Sequence, residues 1–212
     1  MQLGFRVLGI VAQNRLAAFS RIAADAAAAP DLPHRVDLSH AAANTLVGLD
    51  RVTDRIRDLG GDPITEMSAF SGLLGVFDAR TEPATFWERL VKGYVGYGVS
   101  DDFCRELASL IDPETDELVR EVLGSTDYTD IVLQSLSTVI TADPKLASRL
   151  ALWGRRLIGE ALRVVQEVLL VNPDLDEVLR ATSDGAETGF AHVLPRLTSE
   201  HARRMSRLGL AA

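Results

Sequence analysis

The sequence predicts an all-α bundle, and three observations carry that prediction. Apolar or small residues recur at 38, 42, 45, 49, 52, 56 and 59, an alternation of three and four that a strand of period two cannot produce. Aspartate or asparagine stands directly before proline at 62–63, 112–113, 143–144 and 172–173. That pairing suits an N-cap followed by the first helical position, where the missing N–H of proline costs nothing. No Asn-Gly or Asp-Gly turn lies between alternating runs, so nothing signals a hairpin.

Taken in order, the first helix carries its stripe at Leu8, Val11, Ala12, Phe19, Ile22 and Ala26. Pro30 to Pro33 separates it from a second helix over His34 to Leu59, which Gly60-Gly61 closes. Pro63 to Arg80, containing Gly72 and Gly75, reads as a shorter, less regular helix crossing between bundle members. Thr81-Glu82-Pro83 reads as the start of a third long helix, which holds Val95, Val99 and Asp102. Asp112-Pro113 marks another start, and Asp127 and Asp130 fall near the beginning of a fourth helix. Asp143-Pro144 opens a fifth, with Leu146, Leu150, Trp153, Leu157, Ala161, Val164 and Val168 on one face, and Asn172-Pro173 opens the last part. Short connections make neighbouring helices antiparallel.

The 212 residues are 47% apolar, 25% charged and 6% aromatic, enough for one globular domain over 1–212 and unlike collagen-like or disordered chains. Cys104 is the only cysteine, which excludes an intrachain disulfide and a cysteine-built zinc or iron–sulfur site and fits the cytoplasm. No stretch reaches 18 uninterrupted apolar residues, so neither a membrane span nor a signal peptide is expected. The net charge of −8 argues against a broad nucleic-acid footprint. Basic residues cluster at Arg149, Arg155, Arg156 and Arg163 and at Arg196, Arg203, Arg204 and Arg207. They read first as solvated faces and helix-end cations, and second as a patch for tRNA.

A polar residue at a seam position points to function, because burying it unpaired costs about 1–3 kcal/mol. Arg15 lies four residues after Val11 and four before Phe19; Thr45 sits between Ala42 and Leu49; Asp102 follows Val99; and Glu160 lies between Leu157 and Val164. Asp127 and Asp130 add carboxylates on the fourth helix. Inward polar residues on facing helices are how di-iron carboxylate bundles assemble a site, from glutamates and Glu-x-x-His pairs. The chain has four histidines and no Glu-x-x-His.

Several stretches resemble a known family: 16–25, 90–96, 102–108, 197–205 and, most specifically, 142–161, which reads ADPKLASRLALWGRRLIGEA. The chain resembles actinobacterial ferritin-like proteins related to the tRNA 2-methylthio-N6-isopentenyladenosine hydroxylases. The resemblance implies a ferritin-like four-helix bundle core with additional crossover and C-terminal helices. Its catalytic relatives imply two iron ions that activate dioxygen to hydroxylate an isopentenyl group on a tRNA base. The chain departs from that pattern where a ligand is expected: Asn14 or Arg15 replaces a first-helix glutamate, Thr45 to Gly48 replaces Glu-x-x-His, and Ser125 to Tyr128 followed by Asp130 carries no imidazole.

A degenerate metal site is therefore expected, with Arg15, Thr45, Asp102, Asp130 and Glu160 forming a buried polar cluster in its place and Arg15 paired with Glu160, Asp102 or both. The function that follows is structural, binding or regulatory, without a cofactor, in a homo-oligomer or with a protein partner. The open alternative is an active di-iron hydroxylase or oxidase on a modified tRNA base or small molecule, with ligands from Asp102, Asp127, Asp130, Glu160 and His40.

Overall fold

The computed structural model describes residues 2–182, 185 and 187–212. Helix α1 spans Gln2–Ala27 and α2 spans Leu32–Asp58, and the two pack along their length as an antiparallel pair. Asp31 caps α2 by accepting from the His34 N–H, with Pro33 in the first turn, and Gly60, at φ 86°, takes the left-handed turn that ends it. The crossover is two short helices, α3 (Pro63–Ser68) and α4 (Leu73–Arg80), separated at Gly72. They lie against α1 and against the long helix that begins at Pro144 respectively.

The next rod is α5 (Phe86–Val91), a π-helical segment (Lys92–Gly96) and α6 (Tyr97–Ala108) in unbroken succession. Its start corrects the expectation for Thr81-Glu82-Pro83. Thr85 is the cap, accepting from the Glu88 N–H, while the Thr81 hydroxyl donates back to the Phe77 carbonyl and finishes α4. The π segment widens one turn in mid-rod, a geometry found disproportionately at functional positions. Helices α7 (Pro113–Leu123) and α8 (Asp127–Ala142) follow, then α9 (Pro144–Val171), α10 (Pro173–Ala181) and α11 (Gly189–Arg207). Asp112 and Asp143 cap α7 and α9 as expected. Asn172 does not cap α10; its carboxamide donates to the Val168 carbonyl and closes α9 instead.

α1 packs on α2 and α6; α9 packs on the π segment, α6 and α8; α7 and α8 fill the side between α2 and the rest. α11 lies across α6, α9 and α10. The expected stripes are the core: Leu8, Val11, Leu38, Val52, Ile56, Val95, Val99, Leu150 and Leu157 have no exposed surface. Each fully buried side chain of this kind stabilises the fold by about 1.5–3 kcal/mol relative to exposure. No described helix is long and apolar enough to cross a membrane.

Candidate functional site

Charge has been folded into the middle of this bundle, and each buried charge has found an opposite one. On α1, Arg15 is 8% exposed and its Nη2 donates to Asp101 Oδ1 at 2.5 Å. Asn14, beside it, donates to the same oxygen at 2.7 Å and accepts from the Ser100 hydroxyl. One residue on, Asp102 is 6% exposed and faces the other way. Arg204 of α11 grips both its oxygens at 2.7 Å, and Arg105 donates to Oδ1 at 2.9 Å. Consecutive residues of a helix diverge by about 100°, so Asp101 meets α1 while Asp102 meets α11.

A second knot lies six residues, roughly one and two-thirds turns, further along α1. Arg21 donates to Asp25 at 3.3 Å and to the Tyr128 hydroxyl at 3.0 Å, and its guanidinium lies over the rings of Tyr97 and Tyr128, 4.6 and 5.0 Å from their centroids. Burial pushes the Asp25 carboxyl up, while Arg21 and Arg89 draw it back. Burial also tends to lower the Arg21 pKa, but Tyr128, Asp25 and Tyr97 outweigh it and hold the group charged. Burial raises Tyr97, pushes Tyr128 up to about 12 and raises Tyr94 above its ordinary value. All three phenols are therefore hydrogen-bond donors at neutral pH. Tyr97 gives its proton to Asp78 of the crossover at 2.8 Å, and Lys92 pairs with the same carboxylate at 2.7 Å.

Two glycines of the widened rod make room for these guanidiniums. A Cβ at Gly93 would stand 1.9 Å from the Tyr128 hydroxyl and 2.1 Å from Arg21 Nη1. One at Gly98 would stand 2.6 Å from Arg204 Nε. Between the two knots is a cavity of about 120 Å³, walled by α1, α2, the π segment, α6, α7, α8 and α11. The exposed Ser125 and Asp127 form its outer end.

The sequence-predicted residues divide. Arg15, buried as expected, pairs with Asp101 rather than with Asp102 or Glu160. Asp102 is buried but belongs to Arg204 and Arg105. Thr45 lines the cavity while its hydroxyl donates back to the Ala41 carbonyl. Glu160 is not in the cluster: it lies at the margin of the α9 stripe and meets Arg80 of the crossover at 3.3 Å. Asp130 is exposed, because the buried face of α8 is Val132 and Leu136, two and six residues on. Asp127 is exposed and accepts from Asn44, and His40 is exposed. The residues that complete the site, Arg21, Tyr94, Asp101, Arg105 and Arg204, stand outside that set.

The donors of a two-iron centre do not fit here. Among the described residues no three histidine, cysteine, aspartate or glutamate side chains gather around one point. Asp101 and Asp102 each already face a guanidinium, whose fixed charge opposes a cation. The two arginine clusters are also largely engaged: Arg149 with Glu88, Arg163 with Glu167, Arg196 with Glu106 and Arg203 with Glu200.

No curated protein matches the chain. A family model described as the ferritin-like domain of actinomycetes matches residues 4–181, from α1 to the end of α10. With that match over most of its length, and with an all-helical bundle joined through a long crossover, the chain belongs to the actinomycete ferritin-like domain family.

Proposed function

We propose that this ferritin-like bundle resembles the di-iron tRNA hydroxylases in framework only, and that it works as a cytoplasmic binding protein without di-metal chemistry. The observation that carries this reading is the pairing at its centre: Arg15 with Asp101 and Arg204 with Asp102 use the interior carboxylates a metal would need. Of the other acids at the expected positions, Glu160 is held by Arg80 away from both, and Asp127 and Asp130 are exposed. The cavity between the pairs gives the binding role a location. The arginines of α9 and α11, mostly committed to neighbouring glutamates, lend no support to a tRNA patch.

The test is metal analysis after anaerobic loading with ferrous iron and desalting, combined with oxygen uptake. The expected result is well under one iron per chain and no iron-dependent oxygen consumption. Two irons per chain, with oxygen uptake abolished in Glu160→Ala, would overturn the reading in favour of an active oxidase.

A further inference from the structure

The cavity at the centre of the bundle has an unbalanced lining. Four of the side chains on its wall are guanidiniums, Arg15, Arg21, Arg105 and Arg204, and two are carboxylates, Asp101 and Asp127. Asp102 and Asp25 stand behind the wall, and Asp25 is shared with a further cation, Arg89. Asp127 is at the exposed outer end, where it accepts from Asn44. The inner part of the cavity is thus cationic.

Three donors carried by side chains of its wall have no partner. Arg15 Nε and Arg21 Nε are buried without a partner, and so is the hydroxyl of Tyr94, a residue 6% exposed. A guanidinium N–H can only donate, and the phenol holds its proton, so what is missing is an acceptor. Leaving such donors buried and unanswered costs about 1–3 kcal/mol each. A water molecule accepts hydrogen bonds but neutralises no charge. An oxyanion does both, and planar guanidiniums match its oxygens in pairs. A space of about 120 Å³ suits a group the size of phosphate.

We infer that the cavity between Arg15, Arg21, Tyr94 and Arg204 is a binding site for a phosphate-class oxyanion, either free phosphate or the phosphoryl group of a small phosphomonoester. This inference rests on the binding reading above and gives that site a ligand chemistry. Gly93 and Gly98 belong to the same device, since a side chain at Gly93 would displace the Arg21 guanidinium and one at Gly98 that of Arg204.

The test is isothermal titration of the full chain with sodium phosphate, against sodium chloride at matched ionic strength, and then with glycerol 3-phosphate. One saturable site for phosphate is expected. Tyr94→Phe, which keeps the ring and loses one donor, should weaken it about three- to tenfold. Arg21→Gln should weaken it further, while Arg163→Gln, on the surface of α9, should leave it unchanged, with helicity by circular dichroism confirming that each variant folds. An ester binding tenfold tighter than phosphate identifies a phosphorylated metabolite, and equal affinities identify the free ion. Phosphate behaving like chloride, or wild-type affinity in both Tyr94→Phe and Arg21→Gln, would overturn the inference. Iron uptake reads the broader proposal separately, so a chain that binds neither iron nor phosphate loses the oxyanion site alone.

Discussion

Arg204 holds both carboxylate oxygens of Asp102 at 2.7 Å, and it does so across the bare backbone of Gly98, where a Cβ would lie 2.6 Å from its Nε. The two charges are nearly enclosed, so removing one strands the other. Asp102→Ala is expected to lower stability by about 3–5 kcal/mol, and Arg204→Met by a similar amount. The double variant Asp102→Leu with Arg204→Met should lose much less than the sum, because neither charge is then left alone. Urea unfolding of the three variants measures this, and additive losses would show that the two side chains do not act as a pair.

The same geometry makes Gly98 conditional on its neighbour. Gly98→Ala should cost about 1–3 kcal/mol in the natural chain, through overpacking against the guanidinium. In an Arg204→Met background the penalty should shrink to a small fraction of that, since the flexible thioether can move aside. A penalty that survives unchanged would place the clash elsewhere.

His201, on α11, is 3% exposed, both its ring nitrogens lack partners, and burial with the nearby Arg204 charge brings its pKa down to about 4. An unfolded chain takes up this proton near pH 6.5, whereas the folded one resists until about 4. Its contribution to stability is therefore complete above pH 6.5 and is lost as pH falls between those values, by roughly 2–3 kcal/mol at the lower end. The difference between the stability–pH curves of the natural chain and His201→Leu should show this slope and be flat above pH 7. A flat difference throughout would remove His201 as the cause.

Cys104 has no exposed surface, and burial pushes its thiol up to about 12. It should be silent to thiol reagents at pH 8 in the folded chain and react fully in denaturant, because only the thiolate attacks. Labelling on the native chain at the rate of a free thiol would contradict its placement.

Much of the fold was legible because caps and stripes are local. Asp31, Asp62, Asp112 and Asp143 each cap a helix through their own side chains, and the 3-4 spacing marked the core of α1, α2 and α9. The central site was half legible. That Arg15 and Asp102 are buried follows from their place in the seams, but their partners depend on how helices far apart in sequence are stacked. Period alone puts one residue of the pair Asp101 and Asp102 inward. Both are used because α6 is sandwiched between α1 and α11, a fact no window of α6 contains. Glu160 misled for the converse reason: the crossover covers the edge of the α9 stripe and brings Arg80 to it. The π segment also has no periodic signature, although Gly93 within it and Gly98 just beyond it in α6 mark where guanidiniums approach the backbone of the rod.

α11 lies beyond residues 4–181 of the family match and yet completes the interior. Arg204 follows Asp102 by 102 positions, so on a chain made from its N-terminus the α6 carboxylate emerges long before its chief counter-charge. Until α11 docks, Asp102 has only Arg105 from its own helix, and the bundle must stay open enough there for water to solvate it. Docking of the last helix thus supplies the counter-charge that lets the centre close without water.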